Sequence, residues 1–314
     1  MLCEASRRAD AGRPALREPV TGAVLGVFMS GVQIVADSAC DLPDDILRSL
    51  GVEVAPLSIC FGEEVVMDHR DLSAQDFWLR CKSTRTLPTT AAPAPGAFLD
   101  IFERARDAGK DGVVCVTMSE GISGTYQSAV KASEMLVGDL PVAVLDSRTI
   151  TIAEGLVVLT AAELAADGGT LAEVRAATED ATLRARGFVA LDTLENLRKG
   201  GRIGAAQSLF GSALSVKPII KMEDGIVVAE SRQRTRNRAL DYLIEAMKRQ
   251  GEVDLLGITH GDAADVMDFL ELVSNEFPGV RVIWGQMGAV LGAHVGIGAV
   301  CLAGLCRQGK DPDG

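Results

Sequence analysis

Aromatic and basic side chains are scarce in this chain of 314 residues. Aromatic residues make up 4% of it, and 31 Lys and Arg stand against 43 Asp and Glu, which gives a net charge of −12. Few rings leave few platforms on which bases or sugars stack, and an acidic chain lacks the basic surface that neutralises phosphates. The composition therefore predicts no nucleic-acid partner.

Signatures of metal and nucleotide binding are also missing from the sequence. The seven cysteines are odd in number and none has C-x2-C spacing, which disfavours a zinc or redox site. There is no G-x-x-x-x-G-K-S/T loop, and no G-x-G-x-x-G follows the first predicted strand. We therefore expect no metal and no cofactor. Cysteines set in apolar runs are typical of a reducing, cytoplasmic compartment.

Apolar residues are plentiful, at 47% of the chain, and 33 residues are glycine. At about 150 residues per domain, the length suggests two domains. We predict an N-terminal α/β domain over 31–150, a C-terminal α/β domain over 151–306 and a tail over 307–314. Residues 1–30 are predicted to be a leader, either disordered or upstream of a true start at Met29, with an export signal as the alternative.

The N-terminal half alternates short apolar strands with helical patterns. Continuous apolar runs predict strands at Val32–Ala36, Val113–Met118 and Val142–Leu145, with amphipathic helices between them. Buried strands separated by helices are typical of a mostly parallel sheet flanked by helices. Val52–Ile59 is predicted as one further strand. Asp41 is predicted to cap the helix that begins directly after Asp41.

The C-terminal half mixes two kinds of pattern. Ala-rich helices are predicted at Ile152–Ala166 and Leu171–Ala185. A hairpin is predicted over Ile219–Met222 and Ile226–Ala229, because Asp224-Gly225 favours a tight turn between them. Strands and helices alternate after the hairpin. The predicted fold class is therefore α/β, with a mixed sheet in this half.

The segment Trp284–Cys306 is nearly free of charge and long enough to cross a bilayer. It also holds Gln286, His294 and several glycines, which favour a buried strand, a glycine-rich loop and a second strand. A membrane anchor is the alternative interpretation of this segment.

Small hydroxyls and glycines follow several predicted strands, where parallel sheets place their ligands. Ser123-Gly124-Thr125 opens a predicted helix, and a hydroxyl beside free N–H groups favours an anion there. The alternative is that Ser123 is a plain N-cap. His294 lies in an uncharged stretch and is either a satisfied core histidine or a donor to a buried anion.

Serine hydrolysis is the alternative chemistry for these residues. Ser123 and His294, with Asp37 or Asp146, have the residue types of a catalytic triad. The sequence around Ser123 is not the G-x-S-x-G elbow, and no local pattern brings the histidine to the serine. A Ser123-dependent hydrolase of a small or acyl substrate is therefore the less favoured prediction.

Basic residues cluster at Arg198–Arg202 and Arg232–Arg238, against the sign of the whole chain. Each cluster is either a solvated end of a helix or strand, or a docking patch or phosphate clamp. The local sequence leaves both interpretations open.

Several short motifs, in their order and spacing, resemble the DegV family of bacterial fatty-acid-binding proteins. The match runs from about Val32 to about Leu305. The motifs that carry it are Ile34-Val35-Ala36-Asp37-Ser38, Pro88-Thr89-Thr90 with Pro93 and Pro95, Ser123-Gly124-Thr125-Tyr126-Gln127, Asp146-Ser147, Leu194-Glu195-Asn196-Leu197-Arg198-Lys199-Gly200-Gly201-Arg202-Ile203, Lys217-Pro218 and Gly292-Ala293-His294-Val295-Gly296-Ile297-Gly298-Ala299.

The resemblance implies a two-domain protein that binds one long-chain fatty acid in a tunnel between its domains. Family members are the binding subunit of a two-component fatty acid kinase and present the carboxylate to a separate kinase, so this chain is expected not to be an enzyme. The residues implied at the carboxylate are Thr90, Ser123, Gly124, Thr125 and His294. Contact with the kinase or a phosphate is implied for Arg198, Lys199 and Arg202, and delivery of the acyl chain implies a transient contact with a membrane surface.

Four residues depart from the motifs of the family. Ala91-Ala92 replaces the usual Ser-Gln beside Thr90, Asn196 replaces a usual Tyr, and Ile297 replaces a usual Pro between two glycines. The first departure removes a polar neighbour expected at the carboxylate, which bears on affinity or chain preference.

Overall fold

The computed structural model describes residues 31–83, 88–209 and 216–307. The predicted leader, and residues 308–314 of the predicted tail, lie outside the described residues. The predicted fold class is confirmed: a parallel four-stranded sheet flanked by helices comes first, and a mixed six-stranded sheet follows.

The helices and strands, in chain order, have the following bounds. The strands are β1 (Val32–Asp37), β2 (Glu53–Ala55), β3 (Ser58–Phe61), β4 (Glu64–Met67), β5 (Thr89–Ala91), β6 (Gly112–Thr117), β7 (Val142–Asp146), β8 (Ala185–Ala190), β9 (Lys217–Glu223), β10 (Ile226–Gln233), β11 (Val253–His260), β12 (Arg281–Gln286) and β13 (Val300–Cys306). The α-helices are α1 (Asp44–Ser49), α2 (Ala74–Ser83), α3 (Pro95–Asp107), α4 (Thr125–Met135), α5 (Ile152–Ala166), α6 (Leu171–Arg184), α7 (Glu195–Lys199), α8 (Arg236–Lys248), α9 (Val266–Glu276) and α10 (Ala289–Val295). Short 3-10 helices are formed by Ser38–Cys40 and Gly204–Leu209.

The two larger sheets differ in strand direction. The first has the order β2-β1-β6-β7, and all its neighbours are parallel. The second has the order β10-β9-β8-β13-β11-β12, in which only β11 and β12 run parallel. The predicted hairpin forms β9 and β10, and its turn residues Asp224 and Gly225 both have positive φ angles, 50° and 79°, as such a turn requires.

Helix α5 packs against both sheets. It contacts β1 and β6 of the parallel sheet and β8, β11 and β13 of the mixed sheet. Leu156, Val157, Val158 and Leu159 point in successive directions around the helix, and all four are fully buried. A helix that is apolar on every side needs partners on every side. The sandwich of α5 between the sheets satisfies that need and joins both halves of the chain in one apolar core.

The single strand predicted over Val52–Ile59 is wrong. Pro56 interrupts it, and a proline cannot donate to a strand ladder. The residues before Pro56 form β2 beside β1, whereas those after it form β3 in a separate three-stranded sheet of order β4-β3-β5. This small sheet matters for the site because β5 contains Thr90.

The glycine-rich loop predicted between the last two strands is also wrong, because it contains helix α10. Gly288 is the N-cap of this helix, and Gly296, with φ of 79°, ends it. The segment Trp284–Cys306 is therefore the end of a strand, a short helix and a second strand. In the part of the chain that the structure describes, no helix is both long and apolar enough to cross a membrane.

Asp41 does not cap the first helix, contrary to the sequence prediction. The N-cap position of α1 belongs to Pro43. The carboxylate of Asp41 instead accepts hydrogen bonds from the backbone N–H of Gly288, at 2.9 Å, and from the hydroxyl of Thr151, at 2.5 Å. Asp41 thus ties the start of α10 to the segment that precedes α5.

Candidate functional site

A narrow cavity lies between the loops that follow the parallel strands and one face of the mixed sheet. It encloses about 780 Å³ of space between atoms, its opening to solvent included. Its apolar wall includes Leu57, Met118, Ile122, Val189, Ile220, Met222 and Leu291. Its polar lining consists of Thr90, Ser123, Thr149, Thr151, Arg202, Lys221 and His294. An apolar cleft with a few polar side chains is the usual form of a small-molecule site.

The tip of the β9–β10 hairpin contacts the loop after β6 beside this cavity. The hydroxyl of Ser119 donates to the carbonyl of Gly225 at 2.7 Å. A Cβ atom on Gly121 would lie only 2.4 Å from the same carbonyl oxygen, so the close approach requires glycine there. The contact fixes one wall of the cavity, contributed by the second half of the chain, against the loop that carries Ser123.

Thr90 and His294 meet in the cavity although 204 positions separate them in the chain. Strand β5 places Thr90 and the last turn of α10 places His294, with 3.0 Å between Oγ1 and Nε2. Burial, and secondarily the charge of Arg202, lowers the pKa of His294 to about 4. The imidazole is therefore neutral at physiological pH.

Gly200 sets the position of the imidazole. A Cβ atom on Gly200 would lie 2.4 Å from Nδ1 of His294, so a larger residue there would displace the ring. Nδ1 itself is buried and has no hydrogen-bond partner among the described residues. Helix α7, which ends at Gly200, thereby supports the far side of the histidine.

Ser123 lies just before α4 and does not occupy its N-cap, which is Gly124, so the interpretation of Ser123 as a plain N-cap is wrong. Its Oγ accepts from the backbone N–H of Thr125 at 3.3 Å and lies 2.8 Å from Oγ1 of the same residue. Thr125 is fully buried. Thus Ser123 lines the cavity, whereas Gly124 and Thr125 do not, and of these two only Thr125 bonds to the Ser123 hydroxyl.

The three basic residues singled out in the sequence separate in space. Arg202 lines the cavity, and its guanidinium donates to the carbonyl of Gly200 at 2.8 Å. Arg198 and Lys199 are not in the lining, and Lys199 pairs with Glu195 at 2.6 Å on the exposed surface of α7.

In the second basic cluster, Arg232–Arg238, the side chain of Arg236 stabilises the fold. Its guanidinium makes a two-point contact with Asp265, at 2.8 Å for each bond, and donates to the carbonyl of Gly298. Arg236 is only partly exposed, so these bonds hold the start of α8 against the chain that follows α10. This geometry favours the structural interpretation at that residue.

The residues of the alternative catalytic triad are engaged elsewhere. Ser123 pairs with Thr125, and His294 pairs with Thr90. Asp37 accepts from the backbone N–H groups of Ala39 and Met118, and Asp146 accepts from those of Glu120 and Arg148. In residues 31–83, 88–209 and 216–307, no base lies within hydrogen-bond distance of the Ser123 hydroxyl. The predicted triad is therefore not assembled among these residues in this structure.

Sequence reasoning missed Thr149, Thr151 and Lys221, which also line the cavity. Thr151 has an unusual backbone conformation, with φ of 58° and ψ of −148°. Its hydroxyl donates to Asp41 and lies 2.9 Å from that of Thr259. Burial raises the pKa of Asp41 to about 7, although the bonds from Thr151 and Gly288 act in the opposite direction. The threonines directly follow the Asp146-Ser147 motif, so they could have been found by extending the motif past the end of β7.

The predicted departure at Ala91-Ala92 falls on the cavity itself. Ala92 lines the cavity two residues after Thr90, whereas Ala91 is not in the lining. The described residues form no group of three or more His, Cys, Asp or Glu with the geometry to hold a metal ion.

Fold and site together define an α/β protein with an apolar cavity between two sheets and a cluster of hydroxyls and one imidazole in its wall. Residues 31–305 match the model of a family described as "Uncharacterised protein, DegV family". The chain belongs to the DegV family.

Individual proteins of known sequence or structure are similar over most of their length. A DegV domain-containing protein of Listeria monocytogenes is 33% identical over 275 residues, which cover 86% of this chain and 97% of that protein. A Thermus thermophilus DegV protein, described as fatty acid binding, superposes with a TM-score of 0.80 at 28% identity and covers 88% of this chain and 100% of its own. A stearic acid-binding protein of Eubacterium ventriosum has a TM-score of 0.80 at 25% identity, covering 88% and 98%.

Proposed function

We propose that this protein binds one long-chain fatty acid in the cavity and presents its carboxylate to a separate kinase. The observation that carries the proposal is the cavity wall: a mostly apolar surface into which Thr90, Ser123 and His294 project together. An acyl chain matches the apolar wall at about 0.8 kcal/mol per buried CH2. A carboxylate matches the polar cluster, since a buried anion needs several donors.

Both hydroxyls are arranged to donate toward the cavity. With the proton of the neutral imidazole on Nε2, His294 donates to Oγ1 of Thr90, and the hydroxyl hydrogen of Thr90 is left for the ligand. The backbone N–H of Thr125 donates to Oγ of Ser123, and with the Thr125 hydroxyl donating to the same oxygen, the Ser123 hydrogen is left for the ligand as well. Two preoriented donors lower the cost of ordering the site around a carboxylate.

Arg202 supplies positive charge at the same end of the cavity. It is exposed and lines the cavity, so it can face both a bound carboxylate and a partner in solution. We assign contact with the kinase or with a transferred phosphate to Arg202, supported by Arg198 and Lys199 on α7. The same three cations would contact lipid headgroups when the acyl chain is taken up from a membrane surface.

Identification of the bound lipid tests the binding proposal. The purified protein is denatured, and extracted lipid is analysed by mass spectrometry. We expect fatty acid in a ratio near one per chain, and much less from the Thr90→Val, Ser123→Ala double variant. Absence of fatty acid from the wild-type extract, together with no binding of added octadecanoic acid, would refute the assignment.

Trapping of an acyl phosphate tests the presentation step. The loaded protein is incubated with ATP and the fatty acid kinase subunit, and hydroxylamine converts any acyl phosphate to a hydroxamate. We expect hydroxamate with the wild type and at least tenfold less with Arg202→Gln. If loaded wild-type protein yields none while a relative yields product with the same kinase, the kinase role is wrong and binding stands alone.

A further inference from the structure

A second cavity adjoins the fatty-acid cavity. It encloses about 980 Å³ of space, its opening to solvent included, and its lining is polar. The two cavities share four lining residues: Thr149, Gly187, Lys221 and Met222. None of these four belongs to the Thr90, Ser123 and His294 cluster. The second cavity therefore adjoins the first along these four residues and not along the side chains proposed for the carboxylate.

The mixed sheet is split between the two cavities. Strands β8 and β9 pair only from Phe188 to Ala190, although β8 begins three residues earlier and β9 continues to Glu223. Gly187 lies on the part of β8 that pairs with β13 but not with β9, and it lines both cavities without contributing a side chain. A Cβ atom at Gly187 would lie 3.3 Å from the Cβ of Ala153, which also lines the first cavity.

The second cavity is a polar environment with one cation that lacks an acidic partner. Arg148 pairs with Asp224 at 3.1 Å, and Lys221 pairs with Glu223 at 3.1 Å. Arg186 donates only to backbone carbonyls, and within the described ranges no carboxylate pairs with it. This cavity therefore offers water and charged donors rather than an apolar wall.

We propose that the fatty-acid cavity continues through the split between β8 and β9 into the second cavity. The site then takes long-chain fatty acids that carry a polar group at the end far from the carboxylate. This inference rests on the proposed function, because it names which acyl chains the same site admits. Gly187 is the residue that determines this specificity, since it keeps the passage open.

The physical reason lies in the cost of burying a hydroxyl. In a closed apolar tunnel, a terminal hydroxyl has no partner and weakens binding by about tenfold or more. In a tunnel with a polar second end, the same hydroxyl reaches water and the donors of the second cavity. An open end also removes the steric limit on length, so affinity levels off with added carbons and shows no sharp cut-off.

The test compares fatty acids of 14 to 20 carbons with their terminally hydroxylated counterparts, by equilibrium binding to the wild-type protein. We expect each hydroxylated acid to bind within about threefold of its parent once the chain is long enough to reach the split. A loss of tenfold or more at every length would overturn the proposal. If no parent acid binds at all, the proposed function fails and the inference fails with it.

A matched pair of variants locates the passage. Gly187→Val closes the split, so it should weaken binding of the hydroxylated acids at least tenfold more than that of their parents. Gly285→Val is the control, since Gly285 lies on edge strand β12 of the same sheet and lines neither cavity. Equal effects of Gly187→Val on both kinds of acid would place the passage elsewhere and overturn the role of Gly187. The wild-type series decides the proposal even if Gly187→Val does not fold.

Discussion

The hydroxyls of Thr90 and Ser123 are each oriented by one neighbour. Oγ1 of Thr90 lies 3.0 Å from Nε2 of His294, and Oγ of Ser123 lies 2.8 Å from Oγ1 of Thr125, so in the proposed site each hydroxyl has a neighbour that can orient it before a ligand arrives. The residue types were predictable, because small hydroxyls at strand ends and a histidine in an uncharged stretch stand out in the sequence. Their pairing was not, because it depends on where β5 and α10 come together.

Removal of one hydroxyl should weaken fatty-acid binding without unfolding the protein. A hydrogen bond to a charged group contributes about 1.5–3 kcal/mol, so Ser123→Ala should raise the Kd for octadecanoic acid roughly 10- to 150-fold. Isothermal titration calorimetry measures it. The control is Ser274→Ala, an exposed serine on α9 that bonds only within its own helix. Unchanged affinity in Ser123→Ala would remove this hydroxyl from the site.

His294 should make binding depend on pH. Its pKa is about 4 in the free protein, and a carboxylate bound nearby raises it. A group whose pKa rises on binding takes up a proton, so affinity should increase as the pH falls from 7.5 to 5.5. The Kd of decanoic acid for the wild type and for His294→Gln is measured across this range. Equal pH dependence in both proteins would show that His294 does not sense the carboxylate.

At the scale of elements, helix α10 runs from a buried hydrogen bond at its start to the cavity at its end. Asp41 holds its first turn, its middle carries Leu291 in the cavity wall, and its last turn carries His294. Sequence patterns did not reveal this helix because it is only seven residues long, contains Gly292 and is flanked by Gly288 and Gly296. Only the packing of Phe77 and Trp78 against Gly292 shows why glycine lies inside it.

Helix α7 should influence binding through Gly200. Gly200→Ala places a methyl group against Nδ1 of His294 and pushes the ring out of position. We expect octadecanoic acid to bind about tenfold more weakly, with little change in thermal stability, because the φ of −77° at Gly200 suits alanine. The control is Gly96→Ala in α3, where an added Cβ meets nothing within 4 Å. Equal affinities in the two variants would contradict the role of this contact.

At the scale of the whole molecule, buried ionisable groups should tie stability to pH. Burial raises the pKa of Asp37 to about 7, although backbone hydrogen bonds from Met118 and Ala39 act against it. Burial alone would lower the pKa of His69, but its bond to Asp44 and the nearby carboxylates raise it to about 9. Each group holds its proton more tightly in the folded state, so each loses stabilising effect as the pH rises through its folded pKa.

The free energy of unfolding should therefore fall between pH 6.5 and 9, chiefly through His69, because Asp37 acts mainly between about pH 4 and 7. The lowered pKa values of His260 and His294 oppose this trend only at its acidic end, because a histidine in the unfolded chain, with a pKa near 6.5, has lost most of its protons by about pH 7.5. Urea unfolding followed by circular dichroism measures the slope. His69→Gln should make the slope shallower, and His260→Gln should leave it unchanged above about pH 7.5. A stability that rises with pH in the wild type would contradict the assignment.

The sequence by itself determined the order of the main elements and the residue types of the site. The sequence predicts helix α5 with the bounds that the structure shows, because an apolar, Ala-rich run of this length is too long for a typical strand. Tertiary structure alone decided three things: the break at Pro56 that creates the sheet of β5, the meeting of Thr90 with His294 across 204 positions, and the split beside Gly187. Local periodicity fixes which face of a segment is apolar, but contacts between distant segments depend on how those faces pack together.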